Sequence, residues 1–193
     1  PAFRTLVVDN GSADGSLRLL TEHFPGVEVI PLTENTGFCH AVNVGIQAAD
    51  TPYVLLLNND TKAEPRFVRA LYDAMEARPE AFAVSAGMLM WDNPALLDDA
   101  GDRYCVLGWA YGRGKGRPAA AYGRGTEVFS ACGGAAIYRK SILEEIGLFD
   151  ENHFAYLEDL DIGYRARLHG CRSYYEPEAR VLHYGSASSG SRY

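Results

Sequence analysis

Three places in this sequence gather residue types that can do chemistry. The first is Asn58-Asn59-Asp60, directly after the apolar run Tyr53–Leu57. Five apolar residues between Pro52 and Asn58 read as a strand buried on both faces. Ligands of open α/β sheets gather at the carboxyl ends of such strands. Strand alternation would point Asn58 and Asp60 to one side and Asn59 to the other. An amide and a carboxylate there can hold a hard cation and a polar ligand, although the same residues are equally good turn chemistry. The second place is Glu158-Asp159-x-Asp161. Leu157, Leu160, Tyr164 and Leu168 recur at helical spacing, which sets the three carboxylates in a first helical turn. The helix dipole favours acids there, so charge compensation is one reading. Three carboxylates within four residues also raise one another toward general-base range, and Asp159 sits in the middle. The third is His183, closing a short apolar strand. A lone histidine is more often structural. Facing Asp60 across a cleft, it would complete a site for Mn2+, which accepts both carboxylate and imidazole.

These groups need elements to position them. Phe3–Val8 reads as a strand ended by Asp9-Asn10-Gly11-Ser12, and Ser12 or Asp14 can cap the helix carrying Leu17, Leu20 and Phe24. Pro25-Gly26 stops that helix, Val27–Leu32 is a second strand and Thr33–Gly37 a loop. Phe38, Val42, Ile46 and Ala49 mark the apolar face of a second helix that leads into Tyr53–Leu57. Strand, helix, strand, helix, strand is the order of a parallel sheet with crossover helices. A third helix starts near Glu64-Pro65 with Phe67, Leu71 and Met75 on one face, and Phe82–Ala86 is a further strand that Met88–Trp91 extends.

Residues 92–126 interleave glycines with Arg103, Arg113, Lys115, Arg117 and Arg124. They read as a long mobile surface loop, either a lid facing an anionic ligand or a solvated insertion. Val128–Tyr138 has a strand pattern with Gly133-Gly134 inside it, a bulge or a place where a ligand nears the backbone. Ser141–Ile146 is a short helix ended by Gly147, and Ser186–Ser191 reads as a Gly/Ser-rich tail. The expected fold is one α/β domain over 1–193, with a mostly parallel central sheet and helices on both faces. Residues 1–91 form one half and 92–193 the other. The chain opens almost directly on a strand, whereas doubly wound sheets begin near their centre. The expectation is therefore that an upstream strand is absent from this sequence, or that the chain is a fragment.

Composition bounds the partners. The chain has 193 residues and a formal net charge of −7, which excludes the basic face of a nucleic-acid binder. A phosphate ligand would need a helix N-terminus or a bound cation, because neither a P-loop nor a G-x-G-x-x-G turn follows a strand. Cys39, Cys105, Cys132 and Cys171 are widely spaced with no C-x-x-C, as for free thiols in a reducing compartment. No apolar run reaches transmembrane length and no signal peptide is visible, so the expected location is cytoplasmic.

Taken in order, Val8-Asp9-Asn10-Gly11-Ser12-x-Asp14, Asn35-x-Gly37-Phe38-x-x-Ala41-x-Asn43-x-Gly45, Asn58-Asn59-Asp60, Gly133-Gly134-Ala135, Gly147-x-Phe149-Asp150-Glu151, Glu158-Asp159-x-Asp161 and His183 resemble the family 2 inverting glycosyltransferases of GT-A fold. The bacterial rhamnosyltransferase-like branch is the most similar. The resemblance covers nearly the whole chain. It implies inverting transfer of a sugar from dTDP-rhamnose or a UDP-sugar to a hydroxyl of a growing bacterial polysaccharide or glycolipid, with peripheral association at the inner face of the membrane. It implies that Asp9 hydrogen-bonds the nucleotide base, that Asn35 lies near base or ribose, that Asn58 faces the ribose and that Asn43 joins the nucleotide contacts. Asp60, in the place of the family's D-x-D motif, would coordinate Mn2+ or Mg2+ with His183. Asp159 would be the general base, Glu158 its orienting partner or an acceptor contact, and Gly133 and Gly134 the backbone that sugar approaches.

Three departures accompany it. Asn58 replaces an acid, Val42 stands where many relatives carry Arg, and the family's first strand has no counterpart. That last departure keeps open a truncated or degenerate domain that binds nucleotide or a partner without turnover. A nucleotidyltransferase, the third reading, would need a Gly-rich basic loop after the first strand, which is absent.

Overall fold

The computed structural model describes residues 2–185, so the Gly/Ser-rich tail lies outside the described residues. Strand β1 (Leu6–Asn10) and strand β2 (Glu28–Leu32) are joined by helix α1 (Ser16–His23) and pair in parallel, with Asp9 opposite Pro31 and Asn10 opposite Leu32. Helix α2 (Phe38–Ala48) then leads into β3 (Tyr53–Leu57), both close to the positions that the hydrophobic pattern sets. Yet β3 pairs with neither β1 nor β2. The sheet is divided, two strands on one side and seven on the other. Arg4 spans the division, bonding Asp50 at 2.6 Å and Glu28 at 2.7 Å, but both pairs are solvent-exposed and contribute little.

The larger sheet has the strand order β3-β10-β5-β11-β4, where β4 is Thr61–Ala63, β5 Ala81–Met90, β10 Ala135–Arg139 and β11 Arg172–His183. It is mixed, and this corrects the expectation of a mostly parallel sheet. β10 wedges between β3 and β5 and runs antiparallel to both, while only β5 and β11 are parallel. Alternation along β10 sends Ala136 and Tyr138 to one face and Ala135 and Ile137 to the other. The first face is covered by α2, α4 (Lys140–Ile146) and α5 (Glu158–Leu168), through Ile46, Leu143 and Ile162. The second is covered by α3 (Phe67–Glu76), whose Phe67, Leu71, Ala74 and Met75 form one apolar stripe. The α/β class and the helices on both faces stand.

Residues 92–126 are not the loop expected. They carry β6 (Leu97–Asp99) antiparallel on β5, a hairpin of β7 (Asp102–Tyr104) and β8 (Ala110–Gly112), and a single 3-10 turn at Ala119–Tyr122. Strand β9 (Thr126–Val128) then pairs with β11. Leu97, Ala100 and Val128 anchor the segment on Leu89 and Tyr175 in a small third core. Arg113 stacks on the rings of Tyr122 and Tyr175 at 4.7 and 5.1 Å, so part of the basic character is used in packing. The single strand expected over Val128–Tyr138 is likewise broken, with Gly133 and Gly134 in a turn between β9 and β10.

Candidate active site

The carboxyl ends of β1 and β2 build one wall. Asp9 is buried at the end of β1, where its Oδ2 accepts the Ser12 N–H at 3.2 Å and shapes the turn. Asn10 links the two strand ends. Its Nδ2 donates to Asn35 Oδ1 and to the Gly37 carbonyl, and its Oδ1 accepts the Thr36 N–H and hydroxyl. The end of β1 that carries Asp9 is therefore tied to the loop that carries Asn35, by a residue to which the sequence reading gave no role. Gly37 has φ +86°, and a Cβ there would lie 2.9 Å from the Phe154 carbonyl oxygen, so only glycine fits. Asn43, expected at the nucleotide, does something else. It is buried in α2, donates to the Phe149 carbonyl and to Glu151, and accepts the Phe149 N–H. Its amide is a latch between α2 and the segment ahead of α5, with both donors and its oxygen engaged.

Asn58-Asn59-Asp60 forms the turn from β3 to β4, so strand alternation does not govern it. The Asn58 N–H donates to Gly134 O at 2.9 Å, and Thr61 Oγ1 donates back to Asn58 O at 2.6 Å. Because β4 pairs with the end of β11, His183 stands opposite Thr61 and beside Asp60, with Nε2 3.4 Å from Asp60 Oδ2. On its other side, Nδ1 meets Asp98 Oδ2 at 2.5 Å, and Lys115 Nζ is 3.0 Å from Asp98 Oδ1. The hydrogen bond to Asp98, then the charge of Asp60, raise the His183 pKa, while the His183 bond and Lys115 lower that of Asp98. Among the described residues no group of three or more His, Cys, Asp or Glu closes on a metal ion. Asp60 Oδ1 is nevertheless buried with no hydrogen-bond partner. An orphaned carboxylate oxygen is costly unless a cation satisfies it. Asp60 and His183 thus have the donor chemistry to hold a divalent ion.

Helix α5 starts under backbone tension. Tyr156 and Leu157 both lie in the left-handed region, at φ 72° and 69°, a conformation costly for side chains of this size. The turn delivers Glu158 and Asp159 into the interior. Asp159 Oδ1 accepts the Leu160 N–H at 2.8 Å, and Oδ2 is 3.4 Å from the Gly133 N–H. Burial raises the Asp159 pKa, opposed by those two donors. Glu158 is also buried, its Oε2 has no partner, and burial followed by the charge of Asp159 raises it too. Asp161 differs. It pairs with Arg165, which also donates to the carbonyls of Ile146, Gly147 and Leu148 at the end of α4, so its role is to brace α5.

Gly133 and Gly134 join the two carboxylate centres. A Cβ on Gly133 would sit 3.7 Å from the Phe38 ring and 3.8 Å from Asp159 Cβ, while one on Gly134 would press on Asn58 Nδ2 at 3.3 Å. Sequence reasoning missed three further acids that converge here, all in the segment read as a loop. Asp98 braces His183. Asp99 is buried and raised to about 7 by desolvation, with Gly101 N–H on its Oδ1 at 2.6 Å. Asp102 accepts from Ser130 Oγ at 3.1 Å, and burial followed by the Asp159 charge raises it well above the carboxylate range. The adjacent pair Asp98-Asp99 between apolar residues was the available signal. Two surface hollows, of about 350 and 390 Å3, lie elsewhere and contain none of these groups.

Residues 1–147 match the family model described as Glycosyl transferase family 2. Among curated proteins, N-acetylglucosaminyl-diphospho-decaprenol L-rhamnosyltransferase of Mycobacterium tuberculosis is 31% identical over 216 residues, covering 96% of this chain and 67% of that protein. Rhamnosyltransferase WbbL of Escherichia coli is 25% identical over 196 residues, covering 94% and 73%. Among solved structures, GalNAc-T7 with UDP, GalNAc and Mn2+ superposes with a TM-score of 0.75 at 15% identity, covering 94% of this chain and 37% of that one. Mannosyltransferase PcManGT from Pyrobaculum calidifontis, in complex with GDP-Man and Mn2+, gives 0.65 at 17% identity, covering 96% and 49%. The chain spans less than half of either solved chain, and at these identities they show the fold alone, which is GT-A. With a family match over more than three quarters of its length and a rhamnosyltransferase relative aligned almost end to end, the chain belongs to glycosyl transferase family 2.

Proposed function

We propose that this chain transfers a sugar, with inversion, from a nucleotide-activated donor to a hydroxyl of a bacterial polysaccharide or glycolipid. dTDP-rhamnose is the first candidate donor, and UDP-sugars follow. The observation that carries this reading is the separation of two carboxylate centres on different elements, Asp60 beside His183 and Asp159 at the start of α5, bridged by Gly133-Gly134. Inverting transfer is one in-line displacement, and it needs a base on the attacking face and charge stabilisation on the leaving face. Residues 1–91 hold the donor, with Asp9 and Asn35 at the base and ribose and Asn58 facing the ribose. Residues 92–193 hold the acceptor and Asp159. A divalent cation on Asp60 and His183, when bound, would neutralise the charge developing on the leaving diphosphate. Asp159 takes the proton of the acceptor hydroxyl. Burial raises its basicity. Glu158 lies beside it and either orients Asp159 or contacts the acceptor. The diphospho-decaprenol in the relative's name supports a lipid-linked acceptor.

The test is a thermal shift with dTDP, UDP and GDP, each with Mn2+ or EDTA, beside Asp60→Ala, followed by transfer assays on Asp159→Asn. Ligand binding to the native state raises its apparent stability. A metal-dependent shift lost in Asp60→Ala is expected, as is a fall in transfer of about 10²–10⁴-fold in Asp159→Asn with the nucleotide shift intact. Wild-type transfer by a folded Asp159→Asn variant would refute the assignment. The divided sheet favours a second reading, a domain that binds nucleotide without turnover. It predicts the shift and no transfer by the wild type.

A further inference from the structure

The β7–β8 hairpin carries an apolar tip that the transfer chemistry does not use. Its residues Tyr104-Cys105-Val106-Leu107-Gly108-Trp109-Ala110-Tyr111 include no charged side chain. The tip is built, with Cys105 N–H bonded to Trp109 O at 3.0 Å and Gly108 N–H to Cys105 O at 2.9 Å. Val106, Leu107 and Trp109 therefore stand in solvent, 97%, 81% and 72% exposed, on a hydrogen-bonded frame. Single exposed apolar residues are ordinary, but a run of them on one projection marks an interaction site.

Two features say what covers it. One is charge. From Arg103 to Arg124 there are five basic residues and no acidic one, in a chain of net charge −7. Arg113 is stacked and Lys115 is bound to Asp98, while Arg103, Arg117 and Arg124 are exposed and meet no carboxylate among the described residues. Arg103 lies opposite Tyr111 in the hairpin register. Aromatic and aliphatic residues flanked by arginine are the composition that enters the headgroup layer of an anionic bilayer. The other feature is continuity with the acceptor side. Tyr104 packs on Phe129 at 5.0 Å and on Tyr164 at 5.9 Å, and Tyr164 shares α5 with Asp159. Exposed Leu168 follows Tyr164 one turn on, along the same helix face.

We infer that the β7–β8 tip docks on an anionic membrane surface and sets the Asp159 side of the site at the level of a lipid-linked acceptor. The orientation rests on the acceptor reading above, whereas the docking does not. The test is co-sedimentation of the full chain with vesicles of phosphatidylcholine alone or with phosphatidylglycerol, for the wild type, Leu107→Asp, Trp109→Ser and Arg103→Gln. The wild type should pellet with anionic vesicles. Leu107→Asp should reduce binding by roughly tenfold or more, and Arg103→Gln should weaken it only on anionic vesicles. If Leu107→Asp lowers the melting temperature, the milder Trp109→Ser decides. Wild-type protein left in the supernatant, equal binding by folded tip variants, or a tip that instead drives concentration-dependent self-association would each overturn the inference. The nucleotide shift, measured on the same variants, reads the transferase assignment separately: vesicle binding without a nucleotide shift would spare the docking and sink the transferase.

Discussion

Asp99→Asn should stabilise this protein above neutral pH and do almost nothing in acid. Asp99 is buried on β6, and desolvation raises its carboxyl from the ordinary range to about 7. The native state therefore binds this proton more tightly than the unfolded chain does. The stability tied to the protonated form is fully present below about pH 4 and is lost as pH rises to about 7. Keeping Asp99 ionised at pH 8 costs up to about 4 kcal/mol on that basis, and local relaxation brings the expected figure to roughly 2–4 kcal/mol. Asn keeps the oxygen that accepts the Gly101 N–H, and its neutrality removes the cost. Urea unfolding at several pH values from 4 to 8 gives the difference between variant and wild type directly. It should lie near zero at pH 4 and grow with pH, in favour of the variant. A difference independent of pH, or a variant less stable than wild type at pH 8, would refute the desolvation argument.

Two further substitutions separate support from chemistry. Asn43→Ala breaks two buried hydrogen bonds to Phe149 and a part-buried one to Glu151 and should cost about 1–3 kcal/mol in urea unfolding, with the nucleotide shift of the remaining folded protein unchanged. A selective loss of nucleotide binding at wild-type stability would return Asn43 to the donor site. Gly37→Ala forces a Cβ against the Phe154 carbonyl at a positive φ and should lower stability by about 1–3 kcal/mol, read as a lower melting temperature. An unchanged melting temperature would mean that the Phe154 segment yields freely.

The first 57 residues were legible almost element by element because their signals are local. Pro25-Gly26 stops α1, Gly37 precedes α2, and Tyr53–Leu57 is an unbroken apolar run. What the sequence could not express was pairing. Nothing in Ala135–Arg139 says that it inserts between β3 and β5 and turns the larger sheet mixed, since strand order is decided by contacts far apart in the chain. The hidden part of the site has a similar cause. Asp98, Asp99 and Asp102 lie on short strands whose anchors, Leu97, Ala100 and Val128, are diluted by glycines, so periodicity had too few residues to register. Asn43 differs: its nucleotide role came from the resemblance alone, and only the position of Phe149 reveals the latch.

The division of the sheet bears on how the proposed nucleotide site would work. Between residues 2 and 36 only Asp9 is buried, α1 buries nothing, and β1 rests on α2 chiefly through contacts such as Val8 against Gly45. A unit held by so little apolar area opens alone, and its amides should exchange with solvent at a lower free energy than those of β5 and β10. If the ligand takes only the closed form, its apparent dissociation constant equals the intrinsic one divided by the closed fraction. Affinity then becomes a property of packing at a distance. Better burial under β1 and β2 would tighten nucleotide binding without touching the ligand, and bound nucleotide would slow exchange in those strands first.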